Sequence, residues 1–183
     1  MTVKLPLKKK PGLASSLITL PVDPGIYILF LSLQQVTRIQ VGKLGLAEFT
    51  PATYAYLGSA GGPGGLRARL GRHLNGTGTP HWHIDYLRAE TEVSGFAYIT
   101  AAKLSGKQQS LPVECLWSQE LAVLPGASIP LIGFGASDCL SGCPAHLVCL
   151  PPHLVLTELP RKMPLLGYNE GAVWFDESTP IHA

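Results

Sequence analysis

Between residues 25 and 33 the chain reads GIYILFLSL, apolar at almost every position. A strand wetted on one face alternates apolar with polar residues. A run this continuous predicts a strand covered on both faces, at the centre of a sheet. The next run, VTRIQVG, does alternate, and predicts a half-buried strand beside the first. TYAYLGS (residues 53–59) reads as a third strand. Then Leu66, Leu70 and Leu74 recur every four residues, with Arg67, Arg69, Arg72 and His73 between them. That spacing gives a helix one apolar face, and Asn75-Gly76 stops it. HWHIDYLRAE predicts a second short helix and VSGFAYIT another strand. PVECLWSQELAVL predicts a third helix, with Pro112 near its first turn and Val113, Leu116, Trp117 and Leu121 on one stripe. PLIGFGASDCLSGCPAHLVCL reads as a glycine-rich loop entering a strand, and beyond Pro151 prolines break every pattern. The order β-β-β-α-α-β-α-β predicts an α+β (or α/β) fold, a small mixed or antiparallel sheet flanked by helices. Residues 1–20 read as an N-terminal arm, 21–150 as the domain, and 151–183 as a C-terminal extension.

Composition agrees with a folded chain. Of 183 residues, 46% are hydrophobic and 14% charged, far from a disordered profile. Twenty glycines and sixteen prolines imply many turns, against a long helical bundle. A net charge of +2 is too small to announce a nucleic-acid binder. Its distribution says more: Lys8, Lys9 and Lys10 form a basic knot, and Arg67, Arg69, Arg72 and Arg88 fall mid-chain. Four cysteines at irregular spacing do not read as a disulfide scaffold. IYILFLSL is far shorter than a membrane span. These features predict a soluble, cytoplasmic protein with no membrane partner.

Several blocks stand in order along the chain: Gly25-Ile26-Tyr27, Tyr56-Leu57-Gly58, a serine turn at Ser59, Leu66-x-x-Arg69-Leu70-x-x-His73, and Glu114 on a later helix. This set resembles the GIY-YIG nuclease superfamily. HWHIDYL, GFGASDC and AHL bring it nearer to a mostly prokaryotic, DUF123-like branch, over residues 24–150. The resemblance implies a GIY-YIG-like fold and a metal-dependent endonuclease cutting DNA, with RNA as a further substrate class. It implies Tyr27, Tyr56, Arg69, His73 and Glu114 as catalytic residues, with Glu114 the ligand of Mg²⁺ or Mn²⁺. Tyr27 and Tyr56 lie 29 positions apart, wider than the standard family hairpin, so LQQVTRIQVGKLGLAEF is an inserted strand or an expanded first hairpin. The asparagine that often follows the family glutamate is missing. A catalytically weak module that grips nucleic acid without cutting it therefore stands as the alternative.

The chemistry suits these residue types. Arginine offers a planar fork to phosphate oxygens, the expected role of Arg69. A cation beside Tyr27 would lower its pKa enough to accept a proton from water, and Tyr56 would orient the water or the phosphate. One carboxylate suffices for a magnesium ion that keeps most of its waters. The glycines from 61 to 65, with Gly58, Ser59 and Gly65, would bring backbone close to phosphate at a helix N-terminus. Arg67, Arg72, Trp82 and His83 complete the expected nucleic-acid surface, although Trp82 also reads as a core residue. Cys139, Cys143 and His146 read as a candidate zinc site, the alternative being that Asp138 and His146 pin the last loop by buried hydrogen bonds.

Overall fold

The computed structural model describes residues 20–76, 79–104 and 112–159, together with the backbone of 171–174. The basic knot at Lys8–Lys10, most of the arm and most of the C-terminal extension lie outside the described residues. The elements run β1 (Gly25–Leu33), β2 (Thr37–Gln40), β3 (Leu46–Phe49), β4 (Ala52–Ala60), α1 (Gly65–Asn75), α2 (His83–Arg88), β5 (Glu92–Thr100), α3 (Ala101–Leu104), α4 (Val113–Ala122), β6 (Leu147–Cys149) and β7 (Gly171–Trp174). The fold is α+β.

β1 is indeed central. A five-stranded antiparallel sheet runs in the order β6-β4-β1-β5-β7. β1 and β4 pair without interruption from Gly25↔Ala60 to Leu33↔Ala52. Both faces of β1 are covered, which is why its sequence does not alternate. Tyr27, Leu29, Leu31 and Leu33 join a core beneath α1 and α2, with Leu66, Leu70, Leu74, Ile84 and Leu87. Ile28 and Phe30 face the opposite way, into a core under α4 with Val113, Trp117 and Leu121. Leu154 and Leu159, from the segment read as an extension, pack into that second core. Burying a leucine of this kind stabilises the fold by roughly 2 kcal/mol.

The sequence reading needs two corrections here. VTRIQVG does not pair beside β1, whose two edges are taken by β4 and β5. It becomes β2 and pairs with β3 in a separate two-stranded hairpin, Thr37↔Phe49 to Gln40↔Leu46. Ile39, Val41 and Phe49 still reach the first core. On α4, Cys115 and Ser118 hold buried places while Leu116 is only half-buried. The Ser118 hydroxyl donates to the Ala145 carbonyl at 2.7 Å.

Candidate functional site

A cleft of about 600 Å³ opens at the end of the sheet where β1 begins and β4 finishes. Tyr27 enters it from β1, Tyr56, Gly58 and Ser59 from β4, Arg69 and His73 from α1, Trp82 and His83 from the start of α2, and Glu114 from the first turn of α4. The loop between α4 and β6 supplies the remaining wall, including Gly135, Asp138, Cys139 and His146. All five residues expected to be catalytic line this one cleft.

At its floor the Tyr27 hydroxyl meets His73 Nε2 at 2.8 Å, both residues being almost fully buried. Burial pushes the Tyr27 phenol well above its usual value, assisted by Tyr56 and only partly opposed by Arg69. This corrects the expectation of an easily ionised tyrosine: one nearby guanidinium does not outweigh complete desolvation. Burial likewise pushes His73 down to about 4, against the attraction of Asp85. The histidine is therefore neutral. Its Nδ1 has no hydrogen-bond partner and stands 3.9 Å from Asp85 Oδ1. A bare nitrogen lone pair there would face a carboxylate, so electrostatics place the proton on Nδ1 and leave Nε2 to accept from Tyr27.

Asp85 is held from its other oxygen. Oδ2 accepts from Arg72 Nη2 at 2.7 Å and from the amides of His81 at 2.8 Å and Trp82 at 3.0 Å. Burial raises the carboxyl, but these donors outweigh it and hold the group below the usual range. Arg72 is thus committed to Asp85 and does not line the cleft. Arg69 and Arg72 both place their guanidinium carbons over the Trp82 ring, at 4.1 and 4.5 Å. Trp82 is half-buried and packs against the first core while also lining the cleft. Tyr56 lies 6.4 Å from Tyr27 and 6.2 Å from His73, centroid to centroid, and burial pushes its phenol up to about 12. His83 Nδ1 accepts the Gly135 amide at 3.1 Å, which seats the loop on α2.

Three expected contacts fall outside the cleft: Gly65, Arg67 and Arg72. The glycine run is not a phosphate cradle. The first-turn amides of α1 are already taken, Leu66 by the Asp23 carbonyl at 3.0 Å, Arg67 by Pro21 at 2.9 Å and Gly65 by Gly62 at 3.1 Å. Gly65 is required for a different reason: a β-carbon there would strike the carbonyls of Val22 and Asp23, and its φ is +50°. The Arg67 Nε donates to the Leu20 carbonyl at 2.7 Å. Arg88 is likewise structural, its guanidinium donating to the carbonyls of His73 and Thr91 at 2.9 and 2.7 Å.

Residues 26–164 match the family model DUF123, a domain of unknown function. The chain belongs to the DUF123 family. No curated protein and no solved structure matches it. Among the described residues of this DUF123 domain, no helix is long and apolar enough to cross a membrane. Along the cleft wall, Cys115 joins Cys139, Cys143 and His146 in a group whose ligand atoms all lie within 4.8 Å of one another, a set able to bind a metal such as zinc. The reading of the sequence missed Cys115, which sits on α4 24 residues before Cys139.

Proposed function

We propose that this chain is a metal-dependent endonuclease of GIY-YIG type, hydrolysing phosphodiester bonds in DNA. The observation that carries this reading is the convergence of Tyr27, Tyr56, Arg69, His73 and Glu114 on one cleft from β1, β4, α1 and α4. Phosphoryl chemistry asks for positioning and charge more than for covalent work. Arg69 holds the phosphate by its planar fork. Tyr56 orients the water or the phosphate. Tyr27 serves as a relay, passing its proton to His73 Nε2 while its oxygen takes one from the attacking water. Asp85 Oδ1 is the neighbour ready to pair with the imidazolium so formed. This relay avoids the phenolate that burial forbids.

The cleft fits a hard divalent cation such as Mg²⁺ or Mn²⁺. Glu114 lines it, and Asp138 stands in the same wall, so oxygen ligands are present beside room for retained water. When bound, such an ion supplies positive charge at the phosphate and at the departing oxygen.

A second reading keeps the fold and binds nucleic acid without cutting it. The burial that lifts Tyr27 and depresses His73 favours it, because it makes the phenol a weaker proton donor and the imidazole a weaker proton acceptor. Supercoiled plasmid incubated with the full chain, with and without Mg²⁺ or Mn²⁺, separates the two. The nuclease reading expects metal-dependent nicking that falls at least about 100-fold in Arg69→Ala and Glu114→Ala. Salt-sensitive binding with no product on DNA or RNA would replace it with the binding module.

A further inference from the structure

We propose that Cys115, Cys139, Cys143 and His146 hold a structural zinc ion, and that this ion fixes the cleft's two carboxylates, Glu114 and Asp138, in position. The zinc site stands by itself. The positioning role rests on the nuclease reading.

The donors come from three places: the first turn of α4, the loop after it, and the residue just before β6. Cys115 Sγ lies 3.5 Å from Cys139 Sγ and 3.7 Å from His146 Nε2. Zinc–sulfur bonds of about 2.3 Å and zinc–nitrogen bonds of about 2.0 Å place tetrahedral ligand atoms roughly 3.5–3.8 Å apart. Cys115 is therefore spaced from Cys139 and from His146 as two corners around one ion are, and all four ligand atoms lie within 4.8 Å of one another. None of the four cysteines is in a disulfide. Three sulfurs and one imidazole are the ligand chemistry that selects zinc over hard cations.

The loop gives an independent reason. Its base is closed by Gly133 N to Pro144 O at 2.7 Å and by His146 N to Phe134 O at 2.8 Å. Between Phe134 and Ala145 the one buried residue is Cys143, and Leu140 is fully exposed. An excursion with no apolar anchor and few regular hydrogen bonds needs another tie. Cysteines at two of its positions, reaching a third on α4, provide one. The consequence for the cleft follows from adjacency. Glu114 precedes Cys115, and Asp138 precedes Cys139. Both carboxylates line the cleft. Ligating the two cysteines to one ion sets the two carboxylates at a fixed separation.

The test is metal analysis of the full chain purified without chelator. About one zinc per chain is expected, with Co²⁺ exchange producing thiolate-to-cobalt absorption. Cys139→Ser should lose the metal and melt several degrees lower, Cys139→His should keep it, and Cys149→Ser, outside the cluster, should behave as wild type. Zinc well below stoichiometry, iron in its place, or a disulfide among Cys115, Cys139 and Cys143 in the purified protein would overturn the site whatever the variants do. The positioning role is read below the melting temperature. Stripping zinc should raise the Mg²⁺ concentration needed for half-maximal nicking about tenfold, and restoring zinc should reverse it. An unchanged Mg²⁺ requirement in the zinc-free protein would overturn that role. Stoichiometric zinc in a protein that cuts nothing would remove the nuclease reading and the positioning role with it, leaving the zinc site standing.

Discussion

The Tyr27 phenol lies directly over the Gly58 α-carbon, its partner in the β1–β4 register. A β-carbon on residue 58 would come within 2.5 Å of the Tyr27 oxygen and 2.6 Å of its ring. The ring cannot retreat, being buried and hydrogen-bonded to His73. Gly58→Ala should therefore destabilise the fold by about 1–3 kcal/mol through overpacking. Gly61→Ala meets nothing within 4 Å, and should stay within about 0.5 kcal/mol of wild type. Thermal unfolding of the two variants checks the contrast. Equal stabilities would mean that the close approach is not what selects glycine at position 58.

Removing only the Tyr27 oxygen separates packing from chemistry. Tyr27→Phe keeps the ring and loses one buried hydrogen bond, a cost of about 1 kcal/mol in stability. In the proposed relay it should lower plasmid nicking by about 100-fold or more. A variant that is destabilised but cuts normally would remove Tyr27 from the mechanism.

The neutral His73 makes stability depend on pH in a definite direction. Unfolded, the ring takes a proton near 6.5, and folded only near 4. Between those values the unfolded state binds more protons, so stability rises with pH across the window and is fully present above about 6.5. The span is worth at most about 3 kcal/mol. His83, also lowered by burial, adds in the same direction. Denaturant midpoints measured from pH 4 to 7.5 should fall as the solution is acidified, and His73→Gln should flatten the slope. A midpoint that did not move over this range would contradict a neutral buried His73.

The arginines of α1 should divide sharply in nucleic-acid binding. Arg69 lines the cleft, while Arg67 donates to Leu20 and Arg72 to Asp85. Arg69→Ala should weaken binding and reduce the slope of log affinity against log salt by about one. Arg67→Ala should leave both unchanged. Fluorescence anisotropy at several salt concentrations distinguishes them, and equal losses would place the contact surface outside the cleft.

The central strand, the leucine stripe of α1 and the convergence of the two tyrosines with Arg69, His73 and Glu114 were legible because each rests on local period or on ordered motifs. Other features were not, for physical reasons. The alternation in VTRIQVG specifies a half-buried strand but not its partner, and both edges of β1 were already occupied. The acid–base state of Tyr27 depends on how completely the fold excludes water, which no spacing encodes. The glycine run looked like an anion loop because the carbonyls that fill it come from residues 21 and 23, before β1. Cys115 was invisible as a ligand because helix α4 and the following loop must pack before it meets Cys139 and His146.

The strap formed by residues 20–23 has a practical bearing. The family match begins at residue 26, and a fragment cut there would keep every residue that lines the cleft. It would lack the carbonyls of Pro21 and Asp23 that occupy the Leu66 and Arg67 amides, and the buried Leu20 side chain. The first turn of α1 would then present bare N–H groups to solvent, and the artificial fragment would acquire an anion-attracting end that the longer chain keeps shut.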